Sequence, residues 1–126
     1  MFYEVKLPEQ QQDYLRFYWW PDADLNTDPE IYKMTVHIFG AVSSPSCSNY
    51  ALKRTAYDNQ DKFSEVAVNT VLKDFYVDDC LKSVKTEFEA INLCRELRQL
   101  LSKGGFNLLK WISNSRELLN SLPVTE

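Results

Sequence analysis

Two neighbouring carboxylates, Asp78 and Asp79, close the stretch Phe75-Tyr76-Val77-Asp78-Asp79 and are the residues of this chain best suited to chemistry. Like charges a few ångströms apart repel and raise one pKa, and a divalent cation beside them removes that cost. Carboxylate oxygen is the hard ligand that magnesium selects. Tyr-x-Asp-Asp should arise by accident in about one chain per hundred of this size. The tetrapeptide therefore needs support from its surroundings.

Other candidates are weaker. Asp22, Asp24, Asn26 and Asp28 alternate like the start of a calcium-binding EF-hand loop. The pattern fails where Thr27 replaces the turn glycine and where Lys33 replaces the bidentate glutamate, so the segment reads as a solvated hairpin loop. His37 is the only histidine. Any Ser-His-Asp or Cys-His scheme must run through it, no nucleophile-elbow signature accompanies it, and a structural histidine is the better reading. Cys47, Cys80 and Cys94 are odd in number, widely spaced and without a C-x-x-C pair, which suggests neither a zinc site nor a disulfide framework. They read as reduced intracellular thiols.

The elements that must position these groups follow from composition and pattern. A chain of 126 residues, 44% hydrophobic and 13% aromatic, can build one soluble globular core and is not disordered. Its net charge of -4 argues against a free-standing electrostatic nucleic-acid binder. No basic n-region with an apolar h-region opens the chain, and no run of ~20 apolar residues could span a membrane. The expected location is intracellular and cytoplasmic.

Residues 14–20 are aromatic-rich and read as a strand, followed by Pro- and Asp-rich turn chemistry and a second strand over 31–39. Ser44-Pro45 supplies an N-cap and a first-turn proline for a helix reaching about Asp58. Residues 61–69 read as a polar connection, and 71–84 as a tight hairpin with both aspartates at its tip. Thr86 and Glu89 form a capping box for the next helix, whose predicted buried stripe is Phe88, Ile91, Cys94, Leu97 and Leu101. Gly104-Gly105 ends that helix. A strand over 106–112 and a short helix over 115–122 complete an α+β layout.

Aromatic-Tyr-x-Asp-Asp on a hairpin, about thirty residues after Gly40-x-x-x-Ser44-Pro45 opens a helix, resembles the palm of a reverse transcriptase. More narrowly, five stretches are similar to the polymerase region of BEL/Pao-type long-terminal-repeat retrotransposon polyproteins, in that family's order. They are Met1-Phe2-Tyr3-Glu4-Val5-Lys6, Leu15-Arg16-Phe17-Tyr18-Trp19-Trp20, Met34-Thr35-Val36-His37-Ile38-Phe39-Gly40, Phe75-Tyr76-Val77-Asp78-Asp79-Cys80-Leu81-Lys82-Ser83 and Lys110-Trp111-Ile112-Ser113-Asn114-Ser115.

The resemblance implies a palm-like antiparallel sheet with helices packed on one face and its first central strand missing. Its segments would be a nucleotide gate at 1–7, a hairpin at 14–39, the Gly-x-x-x-Ser-Pro helix at 40–58, the Tyr-Val-Asp-Asp hairpin at 71–84, a helix at 86–103, and a strand and helix at 106–122. It also implies an RNA-directed DNA polymerase using two magnesium ions, Mg2+, which activate the primer hydroxyl and stabilise the leaving pyrophosphate. Asp78 would be a catalytic metal ligand and Asp79 would support the metal. Tyr76 and Val77 would line the approach of primer end and nucleotide. Phe2 would be a steric gate against a 2′-hydroxyl. Gly40, Ser44 and Pro45 would frame template and nucleotide, with Phe39 where retroviral enzymes favour glutamine. Lys110 would approach the triphosphate.

Partners would be an RNA or DNA template-primer, a deoxynucleoside triphosphate, and the remaining polymerase, RNase H, protease and integrase regions of a parent polyprotein, with no membrane. In the family's Asp-x-x-x-Met-Phe pattern a further metal-binding aspartate would stand four residues before Met1. The expectation is therefore a fragment, inactive alone. A net charge of -4 suits a palm, which concentrates carboxylates while other domains grip phosphate. The rival is a non-catalytic palm-fold remnant or a domesticated interaction module. An unrelated α+β protein would have to produce five matching stretches in order by chance.

Overall fold

The computed structural model describes residues 2–122, without the side chain of Phe2. The described chain is α+β, with five α-helices and two small antiparallel sheets. It gathers into two compact units, residues 1–48 and 49–126, and the boundary falls inside the second helix.

In the first unit, α1 (Glu9–Gln12) precedes β1 (Arg16–Trp19), which pairs antiparallel with β2 (Glu30–Lys33). The register sets Arg16 against Lys33, Phe17 against Tyr32, Tyr18 against Ile31 and Trp19 against Glu30. The predicted second strand ends early. After Lys33 the chain leaves β1 and bonds instead to the N-terminal segment. The Leu7 amide donates to the Thr35 carbonyl at 2.9 Å, and the His37 amide to the Val5 carbonyl at 3.0 Å. Turn residues Asp22 and Ala23 take left-handed backbone, and the Asp24 carboxylate accepts from the Asn26 amide at 3.0 Å. That bond and the Asn26 side chain hold the Asp24 carboxyl below its usual range.

The helix expected after Ser44-Pro45 is α2 (Ser44–Asp58). In the second unit, α3 (Glu65–Lys73) replaces most of the predicted polar connection and the first residues of the predicted hairpin. Val71 and Leu72 look strand-like as β-branched and apolar residues. Here Ser64 caps the helix by accepting from the Ala67 amide, and Ala67, Val68 and Val71 fall on one buried face. Tertiary burial outweighs local strand preference.

The central helix is α4 (Glu87–Ser102), with α3 and α5 (Arg116–Ser121) packed against it. Its Thr86 cap forms as predicted, while Glu89 reaches back one residue past Thr86. The Glu89 amide donates to the Thr86 hydroxyl at 3.2 Å, and the Lys85 amide to the Glu89 carboxylate at 3.1 Å. The buried face is Leu93, Cys94, Leu97, Leu100 and Leu101. Phe88, assigned to the stripe from sequence, is 74% exposed because no packed element covers the first turn. Cys94 joins Leu118 and Leu122 in a cluster flanked by Ala90, Ile91 and Trp111, and burial pushes its thiol pKa up.

The helix stop is also as expected. Gly105 has φ 81°, its amide bonds the Ser102 carbonyl at 3.1 Å, and the Phe106 amide reaches back to the Leu101 carbonyl at 3.1 Å. These two bonds are a Schellman closure, and they tuck Phe106 into the core. The predicted strand over 106–112 does not form. Among the described residues this stretch joins no sheet, and Ile112 is 98% exposed. A strand pattern without a neighbouring edge gains no ladder.

Gly104 sits against the Thr55 side chain, and a Cβ there would lie 2.9 Å from the Thr55 Cγ2. Thr55 is locked by its own bond to the Ala51 carbonyl at 2.9 Å. Gly104→Ala should therefore cost about 1–3 kcal/mol through overpacking, read as a lower urea midpoint at unchanged slope. An unaltered midpoint would show that the α2–α4 contact gives way freely.

Candidate carboxylate hairpin

The stretch after α3 turns back within a few residues. β3 (Phe75–Tyr76) pairs antiparallel with β4 (Asp79–Cys80), placing Phe75 opposite Cys80 and Tyr76 opposite Asp79. This core is narrower than the predicted 71–84, because α3 claims its beginning and residues 81–84 leave the ladder. Val77 and Asp78 form the two-residue connection. Val77 has φ 54°, a left-handed conformation rare for a β-branched residue. Two-residue hairpin connections demand positive φ to match strand twist. Val77 therefore accepts strain so that the chain can reverse at once.

The base of the hairpin is closed twice. The Leu81 amide donates to the Asp74 carbonyl at 3.2 Å. The Lys82 ammonium donates to the Asp74 carboxylate at 2.5 Å, with both side chains about a third exposed. Partial shielding makes this pair stronger than a freely solvated one. Sequence reasoning passed over Asp74 and Lys82. The available signal was a pair of opposite charges on either side of the turn.

Asp78 and Asp79 are both exposed, as is Tyr76 at 83%, while Val77 is half-buried. Cys80 adjoins them on an exposed residue surface. Desolvation of its thiol pushes the pKa up to about 11, the Asp74 carboxylate adds to the rise and Lys82 opposes it. At neutral pH, with no metal bound, this thiol stays protonated and is a poor nucleophile.

The two aspartates offer hard oxygen donors at an accessible tip. Among the described residues, no group of three or more His, Cys, Asp or Glu is placed to hold a metal ion. The pair fits part of a magnesium site and does not complete one. Magnesium takes six ligands in octahedral geometry, so a magnesium ion held here alone would keep most of its water.

The remaining candidates fall elsewhere. Phe2, assigned to the nucleotide gate, has its side chain outside the described residues. Phe39, Gly40, Ser44 and Pro45 belong to the first unit. Phe39 packs edge-on against Tyr3 at 5.6 Å. Gly40 has φ 87° with open space around it, so its freedom serves the turn into α2. Pro45 is exposed in the first turn of α2. The Ser44 hydroxyl lies 3.2 Å from His37 Nδ1, and Ser44 is 1% exposed. A hydroxyl buried this deeply is not offered to a substrate, which fits a structural histidine. Lys110 is exposed on the irregular segment where a strand was expected. No helix among the described residues is long and apolar enough to cross a membrane.

No protein-family model, curated protein or solved structure matches the chain.

The strain at Val77 can be measured. Left-handed backbone costs an L-residue about 1–2 kcal/mol, and asparagine tolerates it better. Val77→Asn should raise unfolding free energy by about 0.5–1 kcal/mol in urea titration. A loss of stability would contradict the positive φ.

Proposed function

We propose that the chain is the palm portion of a BEL/Pao-type reverse transcriptase, whose parent protein is an RNA-directed DNA polymerase. The observation that carries this reading is the β3–β4 hairpin. Its two-residue turn puts Asp78 at the tip and Asp79 in the ladder beside Tyr76. Nucleotidyl transfer needs carboxylates held rigidly at an open edge, where metal, primer end and triphosphate can meet. The Asp74–Lys82 closure supplies that rigidity without using either tip carboxylate. In this proposal Asp78 is a metal ligand, Asp79 supports it, and Tyr76 and Val77 line the primer approach. Phe39, Gly40 and Pro45 serve nucleotide and template, with buried Ser44 anchoring the start of α2 behind them, Phe2 as the steric gate and Lys110 near the triphosphate. The cofactor is magnesium, and the partners are a template-primer and the other domains of the polyprotein.

Two carboxylates are too few for two-metal chemistry. In this proposal further ligands join the pair from outside the hairpin, and no reaction step is assigned to the hairpin alone. A second reading draws on the same observation. With no third ligand among the described residues, a palm-like remnant or interaction module would keep the hairpin for its shape.

Primer extension on poly(rA)/oligo(dT) with magnesium separates the two. The 126-residue chain should give background incorporation. Joined to polymerase residues that supply a further carboxylate, it should extend the primer, and Asp78→Asn in that longer protein should cut the rate by about a hundredfold or more. Full activity of the short chain would refute the incomplete site. Full activity of Asp78→Asn would refute the assignment of Asp78. Inactivity of a folded longer protein favours the remnant.

A further inference from the structure

The β1–β2 ribbon is exposed along both strands, and all eight of its residues face solvent. Its register separates two unlike faces. Arg16, Lys33, Tyr18 and Ile31 share one face. There Asp13 pairs with Arg16 at 3.0 Å and lies 4.0 Å from Lys33, offsetting one of the two positive charges. Phe17, Tyr32, Trp19 and Glu30 share the other, where Phe17 and Tyr32 stack at 6.0 Å and Trp19 meets Trp20 edge-on at 6.2 Å. A single exposed aromatic needs no explanation, whereas a contiguous aromatic face marks a contact surface.

Charge says what the contact is. Between Phe17 and Tyr32 the chain carries Asp22, Asp24, Asp28 and Glu30 and no lysine, arginine or histidine. The other fourteen acids equal the fourteen bases in number, so residues 18–31 alone carry -4, and with Arg16 and Lys33 the ribbon and its loop keep a net -2. Residues 22–30 are all exposed. A second copy would bring two such ribbons together against their own repulsion. A nucleic-acid strand would stack on the rings and be repelled by the carboxylates.

We infer that the Phe17–Trp19–Tyr32 face, bordered by Glu30 and the 22–28 loop, docks a Lys/Arg-rich extended segment of another polypeptide. Guanidinium and ammonium groups would lie over the rings and pair with the bordering carboxylates. The assignment stands apart from the polymerase reading, since it uses no residue of the carboxylate hairpin.

Calorimetric titration of the full chain with an octa-arginine peptide at low salt tests it, with oligo(dT) titrated in parallel. One-to-one binding is expected. Trp19→Ala, at unchanged charge, should weaken it by about fivefold. The combined Asp22→Asn, Asp24→Asn, Asp28→Asn and Glu30→Gln variant should weaken it by about tenfold or more. The control variant Glu9→Gln, Asp61→Asn, Glu87→Gln and Glu117→Gln removes the same charge elsewhere and should bind nearly as tightly as the parent. Absence of peptide binding, an equal loss in the control variant, indifference to Trp19→Ala in folded protein, or preferential binding of oligo(dT) would each overturn the inference.

Discussion

The left-handed backbone at Val77 is the constraint on which the hairpin depends. With it, two residues suffice to reverse the chain, Asp78 projects at the tip, and Asp79 falls in register with Tyr76. Without it the turn would lengthen and Asp79 would lose its register with Tyr76. A β-branched residue is poorly suited to that backbone, so the conformation must be imposed from outside the turn. The Asp74 carbonyl holding Leu81 and the Asp74 carboxylate holding Lys82 provide the imposition. Strain of this kind persists where the surroundings over-determine it, and it concentrates at functional positions.

Behind the hairpin stands α4, defined at both ends by local hydrogen bonds. Thr86 and Glu89 start it, and the Gly105 turn stops it. Gly104 then lets the Thr55 side chain of α2 approach closely. These contacts join α2 and α4, and α3 packs on α4 before running into β3. The hairpin therefore grows from a packed helical frame within its unit.

Features that rest on short-range bonds were legible in the sequence. The Thr86 cap, the glycine stop and α2 from Ser44 each need only residues a few positions apart. The tight turn was legible too, but the sequence placed it at Asp78-Asp79, one residue late, where the structure turns at Val77-Asp78 and leaves Asp79 in the ladder. Features that depend on partners were not. Val71 reads as strand until Ser64 caps a helix and α4 covers its apolar face. Phe106, Leu108, Lys110 and Ile112 alternate like a strand, yet no edge is there to receive them. The positive φ of Val77 ran against its residue type. The two aspartates were legible as a pair of hard ligands, but not how many further ligands join them. The charge map divides in the same way: residue order places four acids and no base within 18–31, and only the register shows Arg16 and Lys33 on the face opposite Phe17, Tyr32 and Glu30.

The central claim is that the tip carboxylates, rather than the acidic loop at 22–28, are where a divalent cation meets this chain. Manganese titration followed by amide NMR tests it directly, because a paramagnetic ion broadens nearby signals even when it binds weakly. Selective broadening should centre on residues 76–80 and vanish in the Asp78→Asn, Asp79→Asn double variant. Broadening centred on residues 22–28, with the hairpin signals unchanged, would contradict the account.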